Sequence, residues 1–500
     1  MPGGAARPEP RPGARRDRVG WRRVRTGRHP RSGYGIRVLR LHDTATTETT
    51  PLELRDPGAV TMYVCGLTVY DEPHIGHGRL ALVFDVLRRY LEFSGLEVRH
   101  VSNVTDIDDQ IINRANAEGR SWEDVAAQYE ASWWEATDGL GALRPTVTPH
   151  ATEWVEQMVD LVGRLVAAGK AYETSDGVYL STELVDGYGL LAHQSLDSLR
   201  AGARVEVVEE KRSPLDFVLW KKAKPGEPTW DSPWGPGRPG WHTECVVMSL
   251  GLLGDGFDIH GGGIDLIFPH HENERAQAVA LGRSFARHWV HNGWVMAGTE
   301  KMSKSLGNYV SLTDLLRRTD GRAYRMLVLR AHYRRPMEVT PKTLADAEES
   351  LGRLDALARR FDLSPELAQV RAEAAEAAGA DPGALAVFVE RMDDDLDTPA
   401  ATAGLFELVR RANSAADEGR ATEARGLAVT VAVLAGALGL ALLPGATEVD
   451  DETASLVAER DEARARRDFA RADAIRDELE SRGYEVEDTA EGTRVRKRPG

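Results

Sequence analysis

The segment Val60-Thr-Met-Tyr-Val-Cys-Gly-Leu-Thr-Val-Tyr-Asp-Glu-Pro-His-Ile-Gly-His77 decides the fold. Residues 60–64 are typical of a buried strand, and apolar residues recur at helical spacing from Leu80 to Leu91. Gly95 marks the end of that helix, and residues 98–104 have the pattern of a second strand. A strand, a helix and a strand of these lengths form a right-handed βαβ unit. The sequence therefore predicts an α/β fold built on a Rossmann-type, doubly wound parallel sheet.

Composition divides the rest of the chain into further units. A Trp/Pro/Gly-rich stretch, residues 225–241, is expected to be a surface loop, and an Ala/Leu/Glu/Arg-rich stretch with helical periodicity predicts an antiparallel bundle. The predicted order is a disordered Arg/Pro/Gly-rich extension (1–37), the first half of the sheet domain (38–149), a connective insertion (150–240), the second half of the sheet domain (241–343), an α-helical bundle (344–446) and a small C-terminal domain (450–500).

The overall composition is that of a globular, multi-domain protein. Of the 500 residues, 42% are hydrophobic and 28% are charged.

Residues 426–447 contain no charged side chain, which satisfies a simple rule for a membrane span. Their Ala/Gly/Val/Leu composition, the interruptions at Thr430 and Pro444, and their place at the end of a helical array favour a buried bundle helix. We therefore expect no membrane contact.

The formal net charge of -15 conceals an uneven distribution. Residues 1–36 carry ten Arg against Glu9 and Asp17, so the body of the chain is strongly acidic and must bind any nucleic acid through local basic patches. The composition of this extension favours disorder, and a basic nucleic-acid-binding arm is the alternative. The two cysteines, Cys65 and Cys245, lie 180 positions apart, which excludes a disulfide scaffold and favours a cytoplasmic location.

The motif His74-Ile-Gly-His77 lies where the first predicted strand gives way to the helix. The two imidazoles and the N–H groups of the first helical turn converge there on one point, which suits a phosphate group. Gly76 leaves room for the close approach of a nucleotide, and histidine N–H groups can stabilise negative charge that grows in a transition state. The alternative is that the two histidines only cap the helix.

A compact cationic loop, Lys301-Met-Ser-Lys-Ser305, follows in the second half of the sheet domain. Two lysines three positions apart can bind a polyphosphate tail, although solvated surface charge is the ordinary role of such residues. The loop lies about 225 positions after His74, on the other half of the same predicted sheet. This pairing favours a nucleotide-binding role for Lys301 and Lys304.

Candidate metal ligands occur in three separate segments. Cys65 ends the first strand, Cys245 follows Trp241-His-Thr-Glu244, and Phe268-Pro-His-His-Glu-Asn-Glu274 begins a helix. His270 and Glu274 are i and i+4 on one helix face, and with two thiolates they make the donor set of a tetrahedral zinc site. His271 and Glu274 are also one turn apart, so spacing leaves the choice of histidine open. The alternative for each residue is an ordinary buried side chain.

The motif His74-Ile-Gly-His77 and the loop Lys301-Met-Ser-Lys-Ser305 together resemble the two signature motifs of the class I aminoacyl-tRNA synthetases. From Val38 onward the chain resembles the cysteinyl-tRNA synthetase family, whereas residues 1–36 have no counterpart in that family's pattern. The segments that carry the resemblance are Val64-Cys-Gly-Leu-Thr-Val-Tyr-Asp71, Thr105-Asp-Ile-Asp-Asp109, Gly240-Trp-His-Thr-Glu-Cys245, Phe257-Asp-Ile-His-Gly-Gly-Gly263 and Asp393-Asp-Asp-Leu-Asp-Thr-Pro-Ala400. The resemblance implies one Zn²⁺ per chain, held by Cys65, Cys245, His270 and Glu274.

The resemblance also implies a reaction, the activation of L-cysteine by ATP with Mg²⁺ and its transfer to tRNA(Cys). Zinc–sulfur bonding would select cysteine over serine. The implied catalytic residues are His74, His77, Lys301 and Lys304. The implied nucleotide contacts are Gly76, Asp265 and Lys304, with turn capping as the alternative for Asp265. Thr68 and Trp241 would be walls of the cysteine pocket. The bundle would support the tRNA, residues 450–500 would read the anticodon, and we expect a monomer.

Two other functions are compatible with these motifs. The first is the ATP-dependent cysteine ligase of mycothiol biosynthesis, a paralogue that transfers cysteine to an amino sugar. That enzyme needs no anticodon-reading unit, whereas this chain continues through residues 450–500, which include Arg494, Arg496, Lys497 and Arg498. The second is a non-catalytic, zinc-stabilised nucleotide sensor, against which the intact signature motifs argue.

Overall fold

The computed structural model describes residues 39–195, 210–297, 300–301, 310–443, 451–489 and 492–497. The extension predicted to be disordered, residues 1–37, lies outside the described residues, as do Lys304 and Arg498. Only the backbone is described for Lys301, Arg494, Arg496 and Lys497.

The described strands and helices follow one another along the chain as strand–helix units and then as a helical array. The strands are β1 (Arg40–Asp43), β2 (Glu48–Pro51), β3 (Ala59–Thr68), β4 (Glu97–Thr105), β5 (Ala171–Glu173), β6 (Gly177–Leu180), β7 (Phe217–Lys222), β8 (Gly237–Pro239), β9 (Ile259–Gly263), β10 (His288–Asn292), β11 (Val295–Ala297), β12 (Glu300–Lys301), β13 (Met337–Glu338), β14 (Tyr484–Thr489) and β15 (Gly492–Lys497). The helices are α1 (Ile75–Phe93), α2 (Asp109–Glu118), α3 (Trp122–Gly139), α4 (Val155–Ala167), α5 (Trp241–Leu253), α6 (Glu272–Ala280), α7 (Leu312–Leu316), α8 (Gly321–Arg330), α9 (Pro341–Arg360), α10 (Ala372–Ala375), α11 (Pro382–Asp393), α12 (Thr398–Asp417), α13 (Ala421–Ala437), α14 (Asp451–Ala465) and α15 (Phe469–Ser481).

The central sheet has four parallel strands in the order β10–β9–β3–β4. Residues 60–65 of β3 are all buried, as expected for a parallel strand that is covered on both faces. The chain runs outward from β3 through α1 to β4, returns to β9 beside β3, and then runs outward again to β10. This connection confirms the predicted doubly wound sheet.

The insertion carries a four-stranded antiparallel sheet in the order β5–β6–β7–β8. The prediction of a surface loop for residues 225–241 is wrong at its C-terminal end, because β8 is buried and α5 begins at Trp241. β8 lies at the edge of its sheet, where a proline such as Pro239 is tolerated. A Cβ atom at Gly237 would lie 2.2 Å from the Lys221 carbonyl oxygen, so the close strand pairing requires glycine here. A strand of three residues has too little periodicity to be recognised in a Gly/Pro-rich stretch.

The helices from α9 to α13 form the predicted helical region, and α12 packs against α13. The uncharged window that begins at Gly426 forms most of α13, whose residues 427–437 are all buried. Thr430 accepts a hydrogen bond from the Asp381 N–H at 2.7 Å, so this polar group is satisfied inside the core. Within the described ranges, no helix combines the length and the apolar character that a membrane crossing needs.

Two smaller units complete the fold. Helices α14 and α15 and the antiparallel hairpin β14–β15 share a core of their own, made by Ile475, Leu479, Tyr484, Val486 and Val495. A second small sheet has the order β12–β11–β13, and its strand β12 ends at Lys301.

Candidate active site and metal centre

The candidate site lies at the carboxyl ends of β3 and β9, where the winding of the sheet reverses. In open α/β sheets this switch point forms the ligand crevice. β3 ends at Thr68 and leads to His74, and β9 ends at Gly263 and leads to Asp265 in a short 3₁₀ turn. The topology therefore brings both halves of the sheet domain to one edge.

Four buried side chains point their donor atoms at one another beside this crevice. Cys65 Sγ lies 3.7 Å from Cys245 Sγ and 3.3 Å from Glu274 Oε1. His270 Nε2 lies 3.7 Å from Cys245 Sγ and 2.9 Å from Glu274 Oε1. The donors come from β3, α5, α6 and the helical turn just before α6. The structure thus assembles the quartet that the sequence predicted.

The quartet fits a zinc ion in chemistry, and its two sulfurs and its imidazole nitrogen also fit in spacing. Glu274 Oε1 lies 2.9 Å from His270 Nε2, closer than the edge of about 3.3 Å that two such donors span on one zinc ion. Zinc–sulfur bonds of about 2.3 Å and zinc–nitrogen bonds of about 2.0 Å imply tetrahedral edges of about 3.8 Å between two sulfurs and about 3.5 Å between sulfur and nitrogen. The corresponding distances here are both 3.7 Å. Thiolate, imidazole and carboxylate are the donors that zinc prefers.

The surroundings of the quartet shift the pKa values of its acidic groups in different directions. Burial alone would raise the pKa of Glu274, but His260 and His270 hold it well below its usual value. A hydrogen bond from the Cys65 thiol lowers the pKa of Cys245 to about 6. Burial raises the pKa of Cys65. The two lowered pKa values favour the anionic forms of Cys245 and Glu274, whose donor atoms face the same point.

Two neighbours orient the His270 ring. His242 Nδ1 lies 2.9 Å from His270 Nδ1, and the Trp241 ring stacks on His270 with centroids 4.0 Å apart. His270 therefore presents Nε2 to Cys245 and Glu274. Our sequence reasoning missed His242, although it stands within the quoted segment Trp241-His-Thr-Glu244.

A second set of metal-capable donors overlaps the first, because Cys65, His260, His271 and Glu274 also lie within 4.8 Å of one another. His260 Nε2 lies 3.2 Å from Glu274 Oε2 and 3.6 Å from Cys65 Sγ. His271 Nδ1 lies 2.7 Å from His291 Nε2. The sequence reasoning missed His260 as a donor, and its only sequence signal is a histidine inside an otherwise apolar strand.

His74 and His77 cap α1 reciprocally. The His77 N–H donates to His74 Nδ1 at 3.2 Å, and the His74 N–H donates to His77 Nδ1 at 3.3 Å. The rings stack with centroids 3.5 Å apart. Because each Nδ1 accepts a hydrogen bond, the proton of each neutral ring lies on Nε2, which is therefore a donor. Helix capping and phosphate binding use different nitrogens and are compatible.

The other predicted site residues lie on several different elements. Thr68 is half-buried at the end of β3, and Trp241 is half-buried at the first position of α5. Gly76 lies in the first turn of α1, and Asp265 is exposed. Lys301 belongs to β12, where its backbone pairs with Met296.

Comparison with known proteins assigns the family. The model of the class I tRNA synthetase (C) catalytic domain matches residues 51–349, and that of the DALR domain matches residues 387–443. The cysteine–tRNA ligases of Trichlorobacter lovleyi and Geobacillus thermodenitrificans are both 44% identical to this chain, over 91% and 92% of it and 99% of their own lengths. The chain belongs to the cysteine–tRNA ligase family. The ligase of Chromobacterium violaceum is 45% identical over 91% of this chain and 99% of its own length.

Solved structures of other synthetases share the fold of this chain. Methionyl-tRNA synthetase of Mycobacterium tuberculosis, solved with methionyl-adenylate, superimposes with a TM-score of 0.54 at 18% identity, covering 83% of this chain and 96% of its own. LeuRS of Agrobacterium radiobacter in a ternary complex with tRNA gives a TM-score of 0.56 at 11% identity, covering 78% and 85%. The predicted fold class and family are confirmed, and the chain is a ligase of the class that uses ATP, an amino acid and tRNA.

Proposed function

We propose that this protein selects L-cysteine at a zinc ion held by Cys65, Cys245, His270 and Glu274 and attaches it to tRNA(Cys). The observation that carries the proposal is the buried quartet of donor atoms beside the ligand crevice. A zinc ion held there would bind the soft thiolate of cysteine far more strongly than the hard hydroxyl of serine. A hydrophobic pocket cannot supply such a difference for so small a change, so no separate editing site is required.

Trp241 and Thr68 form walls of the cysteine pocket in this proposal. The indole of Trp241 lies against the imidazole of His270, so one side of the pocket adjoins the metal ligands. Thr68 follows Cys65 by three positions and ends the same strand. A cysteine bound by its sulfur would therefore extend along the end of β3 toward the start of α1.

The first step forms cysteinyl-adenylate. A carboxylate oxygen of cysteine attacks the α-phosphorus of ATP, the bond from that phosphorus to the bridging oxygen breaks, and pyrophosphate leaves. His74 and His77 donate hydrogen bonds from Nε2 to phosphate oxygens, and Lys301 and Lys304 neutralise charge on the departing pyrophosphate, whose Mg²⁺ accompanies it. Gly76 admits the nucleotide to the start of α1, and Asp265 accepts a hydrogen bond from the ribose.

The second step charges the tRNA. A hydroxyl of the terminal ribose of tRNA attacks the cysteinyl carbonyl carbon, the bond to the phosphate oxygen breaks, AMP leaves, and the hydroxyl proton is released. In this proposal the helical region supports the tRNA stem and residues 450–500 contact the anticodon. The monomeric state and the cytoplasmic location stay predictions.

Cysteine-dependent ATP–pyrophosphate exchange and charging of a tRNA(Cys) transcript test the function together. We expect exchange with cysteine and none with serine, charging of the transcript, and no transfer of cysteine to an amino-sugar acceptor. Exchange with transfer to the amino sugar and without charging would assign the chain to the paralogous ligase. Absence of exchange would contradict the proposed adenylate chemistry.

Replacing Lys304 by Ala is expected to slow adenylate formation by about 10²-fold, or about 3 kcal/mol in the barrier, because its charge stabilises the pyrophosphate as it leaves. Equilibrium binding of cysteine should not change. Single-turnover formation of cysteinyl-adenylate measures the rate. Lys342→Ala is the matched control, because Lys342 is an exposed lysine paired with Asp346 on α9. A wild-type rate in the Lys304 variant would remove this residue from the mechanism.

Replacing His270 by Ala is expected to remove most of the bound zinc, whereas His271→Ala should retain it. The reason is that His270 Nε2 faces both Cys245 and Glu274, whereas His271 belongs to the second donor set, which does not include Cys245. Metal content after dialysis measures the difference. Retention in the His270 variant and loss in the His271 variant would instead assign the metal to the second donor set, with His260 and His271.

A further inference from the structure

Arg79 is a buried cation on α1, two positions after His77. Its side chain is completely buried, with 0% of its surface exposed. Burial lowers the pKa of its guanidinium to about 10. Across the part of the chain that the structure describes, no Asp or Glu side chain forms an ion pair with it. A buried charge without a counter-ion is costly unless its N–H groups are satisfied, so its hydrogen-bond partners are informative.

Backbone carbonyls from two separate segments supply those partners. Nη1 donates to the carbonyl oxygens of Gly293 at 3.0 Å and Trp294 at 2.7 Å. Nη2 donates to the carbonyl oxygens of His332 at 3.3 Å, Tyr333 at 3.1 Å and Arg335 at 2.5 Å. A planar guanidinium can bind both segments at once because its N–H groups point in fixed, divergent directions.

The two segments lead into the small sheet next to the second signature loop. Trp294 immediately precedes β11, and the turn of residues 332–335 precedes β13. β11 pairs with β13 on one side and with β12, which contains Lys301, on the other. Arg79 therefore joins the helix that begins with the first signature motif to the sheet that precedes the second.

Both segments are held rigidly. The Gly293 N–H donates to the Tyr333 carbonyl at 2.8 Å, and a Cβ atom at Gly293 would lie 2.7 Å from the carbonyl oxygens of Arg334 and Arg335, so the two backbones are in close contact. On its other side the turn is bound by Asp395 of the helical region, which accepts hydrogen bonds from the Tyr333 hydroxyl at 2.6 Å and from Arg334 Nε at 2.7 Å. The carbonyls that bind Arg79 thus belong to two backbone segments that hydrogen bonds and close packing hold in place.

We propose that Arg79 is a positioning residue that sets the separation between the phosphate-binding start of α1 and the strand that carries Lys301. Its guanidinium binds only backbone carbonyls among the described residues, so it acts on the reaction through the position of the two segments that it binds. This inference rests on the proposed role of those motifs in adenylate formation. A displacement of about 1 Å between groups that must act together can cost on the order of 10²-fold in rate.

The test uses full-length Arg79→Ala. Single-turnover formation of cysteinyl-adenylate should slow by about 10²-fold, while zinc content and equilibrium cysteine binding stay within about twofold, because the four donors of the quartet do not contact Arg79. Millimolar guanidinium ion should fill the space left by the side chain and recover about tenfold in rate. Methylammonium should not, because its single nitrogen cannot reach both segments.

Arg325→Ala is the matched control. Arg325 is equally buried, but its guanidinium binds the Asp85 carboxylate and the carbonyl oxygens of Leu140 and Gly141, at 3.2 Å and 3.0 Å. Its loss should lower the melting temperature and leave the rate of adenylate formation within about threefold, because no hydrogen bond joins it to either segment that Arg79 binds.

Two results would overturn the inference. One is a wild-type rate in a folded Arg79 variant. The other is a parallel fall of rate, zinc content and melting temperature without rescue by guanidinium, which would make Arg79 an ordinary core residue. If the Ala variant does not fold, the same measurements can be made on Arg79→Lys. We expect slow adenylate formation and retained zinc in that variant. Failure of the proposed function is distinguishable, since it would appear as absent cysteine-dependent exchange in the wild-type protein.

Discussion

Replacing Cys245 by Ala is expected to remove the bound zinc and to lower kcat/KM for cysteine by on the order of 10³-fold, about 4 kcal/mol. Cys245 Sγ lies 3.7 Å from both Cys65 Sγ and His270 Nε2, so its loss opens one corner of the quartet. Three remaining donors hold zinc more weakly, and loss of the metal removes the bond to sulfur that would favour cysteine over serine. Metal analysis and ATP–pyrophosphate exchange at varied cysteine concentration measure both effects.

Ser249→Ala is a control on the same helix. Ser249 is also buried on α5, and its hydroxyl donates only to the Val246 carbonyl at 3.2 Å, so this change should leave zinc and exchange unaltered. Co²⁺-substituted wild-type protein gives an independent readout, because cysteine bound through sulfur should change the sulfur-to-metal charge-transfer absorption. Full zinc content and activity in the Cys245 variant would show that this residue is a small buried hydrophobe and not a ligand.

Deleting residues 450–500 is expected to lower kcat/KM for tRNA by on the order of 10²-fold while leaving cysteine-dependent exchange nearly intact. The C-terminal helices and hairpin have their own core around Ile475 and Leu479, so their removal should not expose the core of the sheet domain. The hairpin carries Arg494, Arg496 and Lys497, which give local positive charge to an acidic chain. Contacts between such residues and phosphates weaken as salt rises, so the full-length protein should lose charging efficiency with salt more steeply than the truncated one.

Arg482→Ala separates this effect from a general loss of positive charge in the same unit. The guanidinium of Arg482 is paired with Glu452 and Glu478, so its removal should change charging little. Charging by the truncated protein at full-length efficiency across a range of salt concentrations would show that residues 450–500 do not read the anticodon. It would also remove one argument against the amino-sugar ligase.

The amino-acid sequence by itself determined the class of fold and the candidate residues of the site. The strand at residues 60–64 and the helix at residues 80–91 follow from periodicities that one strand or one helix imposes on its own residues. The candidate metal donors are recognisable by residue type, and the i, i+4 spacing of His270 and Glu274 places both on one face of an α-helix. These properties are local, so they can be predicted without knowing what packs against them.

Only the tertiary structure decided which of these residues and segments come into contact. His270 and His271 are both one turn from Glu274, and the packing of Trp241 and His242 is what turns Nε2 of His270 toward Cys245. Strand β8 exists because its neighbour β7 pairs with it, although its three residues carry no strand pattern. Arg79 shows most clearly what the sequence could not predict, because its partners are carbonyl oxygens more than 200 positions away. Every residue has such a carbonyl, so no side-chain pattern marks the ones that a buried cation will bind, and the fold alone selects them.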